Sequence, residues 1–186
     1  MTAIEAAIAE ERSSFTAPIQ IYDTATIRAN VEALGRALGD PAAVLCAVKS
    51  FPAPEVLSQV ADAGAGFEVS SLSEYALLPD DLSGRMVSLN APTPMGAPGY
   101  VERGNRLAVH VEDPRQADDI PRHDSIRQVL RLSHTGLGLD TRGPDGDRPS
   151  RFGSSIDRFV ATAPEFRSGR LTGVHIHSGS EANTAD

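Results

Sequence analysis

Lys49 is the residue with the clearest chemical potential, because it follows an uninterrupted run of apolar or small residues, 44–48. Such a run, flanked by Pro41 and Pro52, predicts a strand buried on both faces, as in parallel sheets. Lys49 would then lie at the carboxyl end of that strand, where parallel α/β folds place their chemistry. A buried lysine that loses its proton is a nucleophile that forms Schiff bases. The alternative is a lysine that extends past the strand end into solvent.

Three further predicted strands carry polar residues between apolar neighbours. Glu68 lies between Phe and Val, and Arg131 lies between two leucines. His175 and His177 flank an isoleucine, so both point to one face of their strand. Together with Lys49, these residues predict a polar cluster at the strand ends, which is typical of a binding or catalytic site. The alternative is a set of half-exposed strands whose polar residues face water.

The two histidines could also bind a metal ion, because histidines two apart on a strand can reach one ion. A third ligand at matching spacing is missing from the sequence. Cys46 is expected on the opposite face of its strand from Lys49. We therefore predict no metal site.

A small polar turn, Ser178-Gly179-Ser180, follows His177. Free backbone N–H groups and hydroxyls in such a turn suit a phosphate, although similar turns are common as plain loops. The segment 136–140, Gly-Leu-Gly-Leu-Asp, lacks the third glycine of a dinucleotide fingerprint and does not open a predicted helix, so no nucleotide site is predicted from it.

Composition limits the class of protein. The chain has 186 residues, of which 40% are hydrophobic and 23% charged, enough for one domain with a real core. Its net charge of −8, without a basic patch, argues against a nucleic-acid partner. The single cysteine, Cys46, fits a reducing compartment. We expect a cytoplasmic protein without a signal peptide or a membrane span.

Strands and helices are predicted to alternate along the chain, which favours βα units and a parallel sheet. The predicted strands are residues 18–23, 44–50, 67–70, 86–90, 107–111, 127–133 and 171–177. The predicted helices are residues 2–12, 25–38, 54–63, 73–78, 114–120 and 156–163, with a loop over 91–105. About six core strands are fewer than the eight of a closed (β/α)₈ barrel, so the barrel is expected to be incomplete.

Five segments in a fixed order carry a resemblance to a known family. They are residues 19–31, 47–50, 63–71, 150–153 and 173–180. The chain resembles the barrel domain of the ornithine/diaminopimelate decarboxylase family, fold-type III enzymes that depend on pyridoxal 5′-phosphate. The resemblance implies an alanine-racemase-like (β/α)₈ TIM barrel, here with about six βα units, and places residues 1–186 in the N-terminal cofactor-binding domain.

The resemblance also implies a role for each candidate residue. Lys49 would hold the cofactor as an internal aldimine, and His177 would stack on its pyridine ring. Ser180 would bind the phosphate, while Glu68 and Arg131 would shape the cofactor's surroundings. The reaction would be decarboxylation of a small-molecule amino acid, in an enzyme that works as a homodimer.

Some features of the family pattern are not found in this sequence. Residues 150–153 read Ser-Arg-Phe-Gly where the family usually has Ser-Lys-Phe-Gly. The glycine-rich phosphate loop, the acid that pairs with the pyridine nitrogen and the C-terminal β domain lie beyond the segments matched here. Two functions stay open: a decarboxylase that needs the missing part, or a non-catalytic cofactor-binding or regulatory homologue.

Overall fold

A computed structural model describes residues 3–11, 20–91, 97–133, 152–161, 164, 169 and 171–177. Strands and helices alternate along these ranges, as the hydrophobic pattern predicts. The strands are β1 (Leu45–Ala47), β2 (Gly66–Val69), β3 (Met86–Leu89), β4 (Arg106–Val111), β5 (Ile126–Leu132) and β6 (Gly173–Ile176). The α-helices are α1 (Ala3–Glu11), α2 (Thr24–Leu38), α3 (Pro54–Asp62), α4 (Leu72–Ala76) and α5 (Ile156–Ala161).

The six strands form one parallel sheet in the order β1-β2-β3-β4-β5-β6. Because each strand pairs with the next one along the chain, all carboxyl ends lie at the same edge of the sheet. The sheet curls into a half-barrel, which confirms the predicted α/β class and the incomplete (β/α)₈ barrel. Six strands are too few to close such a barrel.

The outer face of the sheet holds the hydrophobic core. Phe67, Val87 and Leu107 lie side by side on β2, β3 and β4 and are fully buried, as is Leu130 on β5. Leu57 on helix α3 belongs to the same buried cluster. Full burial of a side chain of this size contributes about 1.5–3 kcal/mol, so this face contributes strongly to the stability of the fold.

Helix α2 begins and ends as its sequence predicts. The Asp23 carboxylate accepts a hydrogen bond from the Thr26 backbone N–H at 3.1 Å, which caps the first turn. Gly39 ends the helix with a φ of 78°, a left-handed conformation that favours glycine. Helix α2 is tied to α3 by Arg28, whose guanidinium donates to the Gln59 side chain at 3.3 Å.

The structure corrects three sequence predictions. The lysine strand is not buried on both faces: Leu45 is 39% exposed, because β1 is an edge strand that pairs only with β2 among the described strands. Residues 20–23 are not in the sheet, and they only lead into helix α2. The predicted loop over 91–105 contains a short 3₁₀ helix, Ala97–Tyr100.

Asp113, which follows β4, links the sheet to helix α5. Its carboxylate contacts the Arg158 guanidinium at 2.8 Å and the Arg115 guanidinium at 2.9 Å. The hydrogen bond from Arg115 is the main reason that the pKa of Asp113 falls to about 2. The same carboxylate caps the 3₁₀ helix Pro114–Asp119, so one side chain orders two neighbouring elements.

Within the ranges that the structure covers, no helix combines the length and the apolar character needed to cross a bilayer.

Candidate active site

The candidate site lies at the carboxyl ends of the strands and is called the mouth below. It consists of Lys49, Glu68, Asn90, Glu112, Arg131, His175 and His177. Lys49 follows β1 in a 3₁₀ turn, Val48–Ser50, which the fully buried Val48 anchors in the core. Its Nζ lies 3.9 Å from Glu68 Oε1, and the two side chains are 62% and 29% exposed. Lys49 thus reaches solvent, as in the alternative prediction, but it also faces a carboxylate.

Arg131, in contrast, is held rigidly. Its guanidinium donates to Glu112 Oε1 at 3.2 Å and to Asn90 Oδ1 at 3.4 Å. It also lies over the Phe152 ring, with Cζ 4.9 Å from the ring centroid. The Arg131 side chain is only 14% exposed. It therefore provides a positive charge of fixed position beside the mouth.

Residues 152–154 hold Glu112 in place. The Gly153 backbone N–H donates to the Glu112 carboxylate, and the Ser154 hydroxyl donates to the Glu112 backbone carbonyl at 2.8 Å. Gly153 has a φ of 84°, and a Cβ there would lie 2.6 Å from the Ser133 backbone nitrogen. Only glycine fits this close approach, which explains the last residue of the Ser-Arg-Phe-Gly motif. Its first two residues lie outside the described ranges.

Three side chains form a hydrogen-bonded row on the inner face of the sheet. Ser88 Oγ lies 2.9 Å from His110 Nε2, and His110 Nδ1 lies 2.7 Å from His175 Nδ1. Burial, followed by the positive charges of neighbouring groups, lowers the pKa of His110 to about 4. The pKa of His175 is also lowered, mainly by burial and then by Arg131. Both imidazoles are therefore neutral at pH 7.

The remaining predicted site residues are placed as follows. His177 follows β6, and its side chain is exposed and makes no hydrogen bond to another described residue. His175 lies deeper, opposite Arg131 in the strand register. Ser180 lies outside the described residues. Cys46 pairs with Phe67 and not with Glu68, so it faces the helices, and burial raises the pKa of its thiol.

Among the described residues, no three His, Cys, Asp or Glu side chains are arranged to hold a metal ion.

The sequence prediction missed four residues of this region. Ser88 and His110 lie on the inner faces of predicted strands, so the alternation that identified Glu68 could have found them. Asn90 and Glu112 each come directly after a strand, where backbone geometry no longer fixes a face. Their position at carboxyl ends of parallel strands was the available signal.

A second cleft, of about 850 Å³, lies at the opposite, amino ends of β5 and β6. Arg122, His123, Asp124 and Gln128 are among the residues that line it. In α/β barrels the amino ends of the strands serve stability, while reactions take place at the carboxyl ends. The mouth is therefore the candidate site.

Known proteins resemble this chain in sequence and in fold. No family model matches the chain. A diaminopimelate decarboxylase from Deinococcus radiodurans is 28% identical over an alignment 188 positions long. The alignment covers 97% of this chain and 48% of the relative. The chain is similar to diaminopimelate decarboxylase. The resemblance inferred from the five sequence segments is confirmed.

Solved structures show the same fold. The lysine/ornithine decarboxylase of Vibrio vulnificus complexed with cadaverine matches with a TM-score of 0.65 and 22% identity. Its complex with putrescine matches with a TM-score of 0.68 and 20% identity. Each match covers 98% of this chain and 48% of the solved chain. The chain thus spans about half the length of the relatives it matches.

The low pKa of His110 predicts a pH-dependent stability. Because the unfolded chain takes up a proton near pH 6.5 and the folded chain only near 4, stability is full above pH 6.5 and falls as the pH drops towards 4. Between pH 7.5 and 5, His110 alone should account for a loss of about 2 kcal/mol. Urea unfolding of wild type and His110→Asn at both pH values measures this contribution as the difference between their pH responses.

The control for this experiment is His123→Asn, which replaces an exposed histidine. The difference between wild type and this variant should be smaller than the difference between wild type and His110→Asn. An equal response in wild type and His110→Asn would show that His110 is not held neutral by the fold.

Proposed function

We propose that residues 1–186 form the N-terminal cofactor-binding barrel domain of a pyridoxal-phosphate-dependent amino-acid decarboxylase of the diaminopimelate/ornithine type. The similarity to diaminopimelate decarboxylase along 97% of the chain supports this function. So does the half-barrel shared with lysine/ornithine decarboxylase. The polar mouth lies at the edge of the sheet where such folds carry their chemistry.

One observation carries the proposal: Lys49 is the only lysine in the sequence, and all the others of its 17 Lys and Arg residues are arginines. Arginine provides positive charge but cannot act as an amine nucleophile at ordinary pH. The one side-chain amine therefore lies at the mouth, exposed and 3.9 Å from the Glu68 carboxylate. A surface charge would not require lysine at this position, whereas a covalent bond to an aldehyde does.

The donor set of the mouth fits the cofactor. Lys49 would carry pyridoxal phosphate covalently, His177 would contact its ring and Ser180 would bind its phosphate. Glu68 faces the Lys49 ammonium at 3.9 Å, and Arg131 would add a positive charge of fixed position near the anionic cofactor. When bound, the cofactor supplies the electron sink that decarboxylation needs.

The substrate is proposed to be a small amino acid with a second amino group. Diaminopimelate, lysine and ornithine, in the names of the similar proteins, all share this feature. The enzyme is further proposed to act as a cytoplasmic homodimer, without nucleic-acid or membrane partners. The chain spans about half the length of its relatives. In the full-length enzyme, further strands and a second domain would complete the site.

A second candidate function is that of a non-catalytic cofactor-binding or regulatory homologue. Such a protein would bind pyridoxal phosphate at Lys49 without decarboxylating an amino acid. The two candidates differ only in what happens after the cofactor is bound, so binding and turnover must be measured separately.

The first prediction concerns Lys49. Incubation with pyridoxal phosphate, reduction with borohydride and peptide mapping should place one cofactor per chain on the Lys49 peptide. Lys49→Arg is the matched control, because it keeps the charge that faces Glu68 and removes the amine. In this variant, only the α-amino group of Met1 remains as an amine. Labelling of the Met1 peptide that is equally strong in both proteins would contradict the assignment.

The second prediction separates the two histidines of β6. His177 is exposed, whereas His175 is engaged with His110, so His177 is free to contact the cofactor ring. His177→Ala should weaken pyridoxal-phosphate binding, measured by absorbance titration, more than His175→Ala. The reverse order, or a stoichiometric metal lost in both variants, would refute this choice.

The third prediction concerns turnover. The 186-residue chain alone should release no carbon dioxide from diaminopimelate, lysine or ornithine. The reason is that the mouth is open to water between β1 and β6, the two edge strands of the described sheet. Fusion to the C-terminal half of the D. radiodurans relative should restore release from at least one of them. The same fusion with Lys49→Arg should be inactive.

Each alternative outcome has a clear meaning. Carbon dioxide release by the chain alone would overturn the proposed incompleteness. A fusion that dimerises and binds the cofactor at Lys49 but decarboxylates none of these amino acids would favour the non-catalytic candidate.

A further inference from the structure

The row formed by Ser88, His110 and His175 has no role in the function proposed above. It crosses the inner face of the sheet from β3 to β6, and the two imidazole rings meet edge-on with centroids 4.4 Å apart. Ser88 is buried and the two histidines are half-buried, so their polar groups are costly unless each hydrogen bond is made. The row therefore has a defined arrangement of protons.

Only one proton fits between the two histidines. His110 Nδ1 and His175 Nδ1 are 2.7 Å apart, so one nitrogen donates and the other accepts. Two arrangements satisfy this contact. In the first, His110 carries the proton on Nδ1 and the neutral His175 carries its proton on Nε2. In the second, His175 carries the proton on Nδ1 and leaves Nε2 bare.

The Ser88 hydroxyl decides between the two arrangements. Ser88 is only 3% exposed, and in the described part of the chain His110 Nε2 is the single hydrogen-bond partner of its hydroxyl. In the first arrangement, the hydroxyl donates to the bare Nε2 of His110 and His110 Nδ1–H donates to His175, so both donors inside the row are used. In the second, His110 Nε2–H donates to Ser88, and the buried Ser88 O–H is left without an acceptor, which is unfavourable. The first arrangement is the stable one.

The groups around His175 agree with a neutral ring. Arg131, its neighbour on β5, carries a positive charge and is itself paired with Glu112. Glu68 on β2 is the nearby acid, and it already faces Lys49. His177 lies two residues further along β6. Burial and Arg131 lower the pKa of His175, and the attraction of Glu68 only partly offsets this.

We propose that Ser88 and His110 are positioning residues that fix His175 as a neutral imidazole with its proton on Nε2. His175 then offers the mouth one hydrogen-bond donor and no positive charge, so Glu68 stays paired with Lys49 and does not turn to a charged histidine. This inference rests on the proposed function, because holding Lys49 matters only if Lys49 carries the cofactor.

The test is a proton assignment by NMR on the histidine-labelled 186-residue chain at pH 7. Long-range ¹H–¹⁵N correlations of the imidazole rings distinguish protonated from bare nitrogens. The expected result is a proton on His110 Nδ1 and on His175 Nε2, with a nitrogen–nitrogen coupling across the contact between the two rings. A proton on His175 Nδ1, or a doubly protonated His175, would overturn the proposal.

Variants of His110 test whether this residue controls the charge of His175. His110→Asn keeps an N–H donor for His175 Nδ1, whereas His110→Leu removes it and leaves that nitrogen free to take a proton. The His175 titration midpoint should stay near the wild-type value in His110→Asn. It should rise by at least one pH unit, a tenfold change in proton affinity, in His110→Leu. Equal midpoints in the two variants would refute the positioning role.

Ser88→Ala isolates the contribution of the hydroxyl. Without its donor, His110 Nε2 can carry the proton, so His175 should show a mixture of its two neutral forms. A thermal melt run in parallel reports on folding, and a change in melting temperature without a change in the proton positions would mean a merely structural role for Ser88.

The outcomes for this inference and for the proposed function remain separable. The NMR assignment needs no cofactor, whereas borohydride labelling of Lys49 does not depend on the proton positions. A failure of labelling with the expected protons would overturn the proposed function alone. Labelling at Lys49 with the wrong protons would overturn the positioning role alone.

Discussion

Parallel hydrogen bonding between neighbouring strands is the constraint on which the mouth depends. The ladder places Glu68 between Ala47 and Ser88, and it places Arg131 opposite His175. Because side chains alternate along a strand, a slip of one residue in any strand would send its polar group to the helix side. The buried outer face prevents such slips, since each would also expose large apolar side chains. The hydrophobic core thus fixes the geometry of a site that it does not touch.

The charged groups of the mouth contribute position more than stability. A buried ion pair such as Arg131–Glu112 is weak evidence for stability, because desolvation of both charges opposes their attraction. Replacement of either residue alone would still destabilise the protein, because the remaining charge would be largely buried without its counter-ion. Lys49 and Glu68 form the opposite kind of pair, exposed and 3.9 Å apart, which is easily opened. The mouth therefore combines a rigid cation with an amine that is free to move.

Much of this arrangement follows from the sequence, and the remainder has identifiable physical causes. Period-two alternation placed Glu68, Arg131 and His175 on the inner face, because a strand allows only two orientations. The exposure of β1 could not be derived, since burial of a strand depends on which neighbours flank it in the sheet and not on its own residues. The contact between His110 and His175 joins residues 65 positions apart, a distance in sequence that no local pattern reports.

The use of one lysine among many arginines has a consequence for reactions with small carbonyl compounds. Simple aldehydes condense with amines, whereas α-dicarbonyl compounds react with guanidinium groups. The two classes of reagent therefore modify different residues of this chain. A free aldehyde can condense with one side-chain amine, that of Lys49, and with the terminal α-amino group of the chain. Within these 186 residues, aldehyde adducts are therefore confined to Lys49 and the terminal amine, whereas glycation by dicarbonyls falls on the arginines.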